Sequence, residues 1–139
     1  ELILKLYELR REAVMREARA FVAGQFNSRS VDELLKIIVT NNQESAYVRQ
    51  VYGYWDMVAA LVVHGALNKA LCLDTCHEMY MVYAKIEPFI AQIRERLGQP
   101  EFLKNVEKLV EASPEAQERV ARIREVSARI ADMRAAVAA

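Results

Sequence analysis

Hydrophobic residues recur every three or four positions along almost the whole chain of 139 residues. This spacing is that of an amphipathic helix, and no segment shows the two-residue alternation of a half-buried strand. Residues 1–24 predict a first long helix, with two neighbouring apolar stripes and charged residues on the opposite face. The pattern therefore predicts an all-α fold, a helical bundle of five or six helices.

After this first helix, capping residues mark where the next helices of the first half of the chain begin. Ser30 predicts the start of a short helix over residues 31–39. Asn42 is a candidate cap for the most apolar helix, which runs to about His64. Gly65 then suits the left-handed residue that ends many helices.

Similar signals divide the second half. The next helix is expected to begin at Asp74 or Thr75 and to kink at Pro88. Residues 100–112 predict a short helix. Ser113, followed directly by a proline, predicts the start of the last helix.

The first and last helices are the longest amphipathic ones, so we expect them to pack on each other or across a dimer. The last helix also has alanines at heptad spacing on one side, which allow a close helix neighbour. Its predicted core stripe consists of Val120, Ile123, Val126, Ile130, Met133 and Val137.

Composition narrows the class of protein. Hydrophobic residues make up 53% and charged residues 27%, and no linker divides the chain, so residues 1–139 are expected to form a single helical domain. Lys+Arg and Asp+Glu both number 19, and the two Arg-rich segments, residues 1–24 and 114–139, each carry five basic and four acidic side chains, so no nucleic-acid partner is expected. Two cysteines are too few for a disulfide framework, which favours reduced thiols in a cytoplasmic protein.

The longest apolar run, residues 57–67, is well short of the about 20 residues that span a bilayer. The chain starts at Glu1, without Met and already in a helical pattern. We therefore expect a segment upstream of Glu1, which would tether the domain to the inner membrane if it is apolar.

The stretch LCLDTCHEMY, residues 71–80, holds both cysteines and one of the two histidines. Cys72, Cys76 and His77 are the weak candidates for a metal site, but their spacing matches no standard zinc pattern. On a helix, His77 would face solvent while Cys76 lies at the core edge, which also opposes a nucleophile–base pair. The favoured interpretation is two core-edge cysteines, and no cofactor is expected.

The second candidate site is a narrow polar strip on the most apolar helix. Asp56 lies there among apolar neighbours, a setting in which a carboxyl group can acquire a raised pKa and bind a ligand. Three alternatives stay open: Asp56 pairs with Arg49, it caps another helix, or the strip is the solvent side. The candidate ligand-binding residues are Arg49, Tyr52, Trp55, Asp56 and His64.

Three further stretches resemble a bacterial all-helical domain family of unknown function, over about residues 45–112. They are YWDMVAALVVHGAL at 54–67, IEPFI at 86–90 and IRERLGQP at 93–100. Members of that family tend to have Glu where this chain has Asp56. The resemblance implies a bacterial source and an N-terminal membrane helix, which many members have. It implies no activity.

The nucleotide, zinc-protease, calcium-loop and di-iron motifs are absent from the sequence, so no catalytic residue is predicted and an enzyme is the least favoured class. The leading hypothesis is a protein-interaction or scaffold module that self-associates through its terminal helices. The alternative is a small-molecule or metal-responsive sensor, with its pocket near Asp56 and His64 or near Cys72 and Cys76.

Overall fold

The computed structural model describes residues 1–27 and 30–139. In this part of the chain every regular element is helical, which confirms the all-α prediction, although there are more helices than the five or six expected. They are α1 Leu2–Arg10, α2 Ala13–Gly24, α3 Val31–Val39, α4 Gln43–Val63, α5 Lys69–Thr75, α6 His77–Ile86, a 3-10 turn Glu87–Phe89, α7 Ile90–Leu97, α8 Lys104–Glu111 and α9 Pro114–Ala138.

The predicted helix over residues 1–24 is two helices, and this is the first correction. The side chain of Glu12 caps α2 by accepting a hydrogen bond of 3.0 Å from the Met15 backbone N–H, so the chain leaves helical geometry there. The break changes which residues face inward. Leu6 and Arg10 are buried on α1, and a new buried face begins on α2 at Met15.

The second correction concerns residues 68–77. Asn68 caps α5 by accepting from the Leu71 backbone N–H at 2.9 Å, so a helix begins well before Asp74. Asp74 and Thr75 therefore lie inside α5 rather than capping the next helix. The short break falls at Cys76, and α6 begins at His77.

The remaining boundaries follow the predicted signals with one exception. Ser30, Asn42 and Ser113 cap their helices. A 3-10 turn that contains Pro88 separates α6 from α7, at the position of the predicted kink. The exception is α8, which begins at Lys104 instead of residue 100. It is preceded by a left-handed residue, Leu103, with φ of 55°.

Helix α4 is the centre of the fold, packed by α2, α3 and α8, while α6 packs against α9. The buried Tyr52 hydroxyl donates to the Val82 carbonyl at 2.6 Å and so joins α4 to α6. Among the described residues, no helix is both long and apolar enough to cross a membrane.

Only the first half of the last helix, α9, packs into the core. Ala116 and Val120 are buried and Ile123 is partly buried, whereas residues 125–139 are all exposed. The predicted core stripe is therefore wrong beyond Ile123, because α9 runs past the helices that cover its beginning. The four exposed residues of the stripe are Val126 at 44%, Ile130 at 42%, Met133 at 66% and Val137 at 87% of full exposure.

Candidate functional site

Asp56 lies half-buried on α4, facing the start of α8. One carboxylate oxygen accepts hydrogen bonds of 3.1 Å from the backbone N–H groups of Asn105 and Val106, and the other accepts at 3.1 Å from the Asn105 side chain. Leu103, the residue at the start of α8, offers no side-chain cap. Asp56 thus supplies the missing cap, which is one of the alternatives that the sequence left open.

The other candidates of the polar strip do not converge on Asp56. Arg49 and His64 are exposed, and His64 is the residue that ends α4. Tyr52 and Trp55 are buried in the core. The five residues are spread over both the solvent and the core side of α4, so they enclose no common ligand volume.

The two cysteines are brought together. Both are buried, and they lie four residues apart at the end of α5. Interaction with the Cys72 thiol lowers the pKa of the Cys76 thiol; burial opposes the shift, and the Thr75 hydroxyl and the Arg10 charge add to it. The same interaction between the thiols, together with burial, raises the pKa of Cys72.

Helix geometry adds to this arrangement. Cys76 ends α5 and immediately precedes α6, so this residue lies at the N-terminal, positive end of the α6 dipole. The Thr75 hydroxyl is 3.7 Å from the Cys76 sulfur. His77, the next residue, is exposed, and the structure does not bring it into this group.

Arg10 is the functional candidate that the sequence analysis missed. Only 6% of it is exposed, and its Nε has no hydrogen-bond partner among the described residues. The guanidinium carbon lies 4.0 Å from the Tyr7 ring centre and 5.0 Å from that of Trp55. Its charge acts on both thiols. The one signal in the sequence was its position four residues after Leu6, on the apolar side of α1.

The backbone of Arg10 is also fixed, because its carbonyl accepts at 3.2 Å from Arg19, which in turn pairs with Glu78 at 2.8 Å. No three His, Cys, Asp or Glu side chains come together as metal ligands within residues 1–27 and 30–139. A structural zinc site would need three or four such ligands.

A cleft of about 480 Å³ lies between α5 and the junction of α8 with α9. Tyr80 belongs to its wall, and the pKa of Tyr80 is raised by burial and then by the nearby Cys72 thiol. The Arg119 guanidinium covers the Tyr80 ring at 5.3 Å and donates to the Leu73 carbonyl. The cleft is lined by Lys69, Ala70, Leu73, Tyr80, Leu109, Ala112, Ser113, Pro114, Glu115 and Ala116.

These features define an all-α domain with two buried cysteines, a cleft along α5 and an exposed apolar helix end. Residues 1–113 match the family model described as Domain of unknown function (DUF4760), and the chain belongs to that family. The resemblance to an uncharacterised helical family is thereby confirmed, over a longer stretch than the sequence motifs covered. No curated protein and no solved structure matches the chain. The family match ends at Ser113, the cap of α9.

Proposed function

We propose that this protein is a self-associating interaction module, in which the second half of α9 pairs with the same stretch of a second copy. The observation that supports this proposal is the exposed part of the apolar stripe on α9. If this stripe had no partner, several large apolar side chains would remain exposed to water, which is energetically unfavourable. The stripe residues that are exposed are Val126, Ile130, Met133 and Val137.

The spacing of the stripe suits a helix partner. From Ile123 onward the apolar residues follow one another at intervals of three, four, three and four residues. They lie within about 40° of one line along the helix at 100° per residue. Alternating intervals of three and four are those of the a and d positions of a coiled coil. The stripe therefore presents a seam for one further helix.

The charges beside this seam favour an antiparallel partner. Arg129 and Arg134 lie on opposite sides of the seam, at positions g and e. In a parallel pair, each Arg129 would face an Arg134 of the second copy, and like charges would repel. In an antiparallel pair with Ile130 against Met133 of the second copy, Arg129 faces Ala136 and Arg134 faces Ser127. This register separates the arginines.

The seam is short, so the predicted complex is weak. Residues 125–139 form about four helical turns, and two such stretches bury less than the about 1,600 Å² of a standard interface. We expect a dissociation constant on the order of 10–100 µM. An interface of this size is suited to reversible assembly, or to assembly that other parts of a longer complex reinforce.

The proposal is tested by placing a charge in the seam. We expect Ile130→Glu to make the protein monomeric, because a carboxylate at the centre of the seam would be buried without a partner. The matched control is Ala128→Glu, which adds the same charge two residues away on the far side of α9. Sedimentation equilibrium at concentrations around the expected dissociation constant gives the mass of each variant, and circular dichroism checks that α9 remains helical.

A wild-type chain that stays monomeric over this concentration range would contradict the proposal. The arginines beside the seam would also suit an anionic lipid surface. Flotation with phosphatidylglycerol vesicles distinguishes that case: a monomeric wild-type chain that floats with the vesicles, while Ile130→Glu does not, would replace self-association with lipid binding.

A further inference from the structure

We infer that the cleft between α5 and the junction of α8 with α9 binds an uncharged ring compound, whose one oxygen atom accepts a hydrogen bond from Tyr80. The volume of the cleft, about 480 Å³, is within the range of small-molecule sites. Its wall contains residues of α5, α6, α8 and the first turn of α9, and none of the seam proposed for self-association. The inference is therefore independent of that proposal.

Tyr80 is the residue that points to a ligand. Only 2% of it is exposed, and its hydroxyl has no hydrogen-bond partner among the described residues. The side-chain polar atoms that are both fully buried and unpaired in the described part of the chain do not include this hydroxyl, so it keeps some contact with solvent. Tyr80 belongs to the wall of the cleft, which places that contact there.

An unpaired hydroxyl in a cleft selects a ligand with an acceptor. A buried tyrosine hydroxyl usually has a hydrogen-bond partner, and here only solvent in the cleft can supply one. A ligand that enters the cleft displaces this solvent. It must then replace the lost hydrogen bond, because a hydroxyl left without a partner lowers the affinity. An oxygen atom on the ligand meets this requirement.

The Tyr80 hydroxyl is a fixed donor. Burial raises its pKa, so it keeps its proton at neutral pH. The Arg119 guanidinium lies over the Tyr80 ring, 5.3 Å from the ring centre, and also donates a hydrogen bond to the Leu73 carbonyl. Arg119 thereby links the α5 and α6 sides of the cleft to α9. The donor is therefore held in place before a ligand arrives.

The rest of the wall favours an apolar body without net charge. Most of it consists of small or branched apolar residues: Ala70, Leu73, Leu109, Ala112, Pro114 and Ala116. The Ser113 hydroxyl already accepts from the Ala116 backbone N–H at 3.3 Å. Lys69 and Glu115 are exposed and carry opposite charges, so together they give the wall no net charge. A charged ligand would lose solvation on entry without gaining a net counter-charge.

The test uses the whole chain and two probes of nearly the same shape. Acetophenone has one ring and one carbonyl oxygen, and in α-methylstyrene a CH2 group replaces that oxygen. We expect acetophenone to bind with a Kd on the order of 1 mM, because it has few atoms. Titration of the ¹⁵N-labelled protein, followed by the amide shifts of Ala70, Ala112 and Ala116, measures binding and locates it.

Tyr80→Phe removes the hydroxyl and keeps the ring. This variant should weaken acetophenone about three- to tenfold, the value of one hydrogen bond, and should not weaken α-methylstyrene. Comparing each probe between two proteins cancels the difference in hydrophobicity between the probes. Ile130→Glu, which alters the seam alone, should bind acetophenone as the wild-type chain does.

A second variant fills the cleft without touching the core. Ala112 is an exposed wall residue, so Ala112→Leu should keep the fold and weaken both probes. Its matched control is Ala121→Leu, which adds the same side chain at an exposed position of α9 outside the cleft and should leave both probes unchanged. Circular dichroism checks the fold of each variant.

Three results would overturn the inference. The first is that acetophenone leaves the cleft amides unshifted, or shifts them as strongly in Ala112→Leu as in the wild-type chain. The second is that a folded Tyr80→Phe binds acetophenone as well as the wild-type chain does, or loses both probes equally. The third is that benzoate, with the same ring and a negative charge, binds more tightly than acetophenone, which would indicate an anion site at Lys69.

Discussion

At the scale of single residues, Asp56 shows how an acid on an apolar helix can be structural. Its neighbours on α4 are apolar, yet both of its oxygens accept hydrogen bonds from the first turn of α8. The backbone N–H groups there have no partner in their own helix, and Leu103 offers none. The carboxylate therefore fixes α8 against α4.

Replacing Asp56 tests this role. We expect Asp56→Ala to lower the free energy of unfolding by about 1–3 kcal/mol, because it leaves two N–H groups of α8 without an acceptor. Asp56→Asn should cost less, since an amide oxygen still accepts. Urea unfolding followed by circular dichroism measures both variants. The control is Asp74→Ala, which removes an exposed acid; if Asp56→Ala costs no more than this control, the cap does not stabilise the fold.

Residues whose partners are close in sequence could be predicted, and those with distant partners could not. The caps at Ser30, Asn42 and Ser113 each bind a backbone N–H three residues ahead, so the local sequence is sufficient. The partner of Asp56 is about 50 residues away. That the Arg10 guanidinium lies over the Trp55 ring likewise depends on how α1 and α4 pack, which no local pattern gives.

At the scale of helices, the periodicity identified the helical regions and failed at their breaks. A break requires only one good capping residue, and the pattern on either side can look continuous. Glu12 caps α2 and so divides residues 1–24 into two helices. Asn68 caps a helix, α5, where the sequence suggested a loop. The kink at Pro88 was predictable because proline removes a backbone donor whatever surrounds it.

The stripe of α9 illustrates a second limit of periodicity. An apolar stripe shows that a helix has a face to bury, but it does not say whether the partner lies in the same chain. The core covers the stripe at Val120 and leaves it exposed from Val126 onward. The sequence could therefore predict the apolar stripe and could not predict where intramolecular packing ends.

The orientation of the proposed helix pair can be tested separately from its existence. In the antiparallel register, Ala136 of one copy lies beside Arg129 of the other. Ala136→Glu should then form two inter-copy charge pairs and tighten association several-fold, as two pairs of about 0.5 kcal/mol would. In a parallel pair, residue 136 does not face Arg129, and no gain is expected. Sedimentation equilibrium measures the change.

Ala135→Glu is the matched control for that variant, because it adds the same charge one residue away, on the side of α9 opposite the seam. The gain should also disappear in the double variant Ala136→Glu with Arg129→Gln. Equal tightening by Ala135→Glu and Ala136→Glu would contradict the antiparallel register, since a general effect of charge would then explain both.

At the scale of the whole molecule, the family match ends at an earlier residue than the packed core does. The match ends at Ser113. The core nevertheless includes Ala116 and Val120, and the Arg124 guanidinium pairs with Glu87 in the turn between α6 and α7. The first half of α9 thus belongs to the folded body, whereas the second half contributes nothing to the core.

Two truncations separate these halves. A chain ending at residue 125 should keep its free energy of unfolding within about 1 kcal/mol, because the removed residues are all exposed, and it should lose self-association. A chain ending at residue 113 should lose about 3–6 kcal/mol, because Val120 and the half-buried Ile123 no longer cover α6 and α8. Urea unfolding distinguishes them. Equal stability of the two truncated chains would mean that the fold is complete at residue 113, and that α9 is only an attached helix.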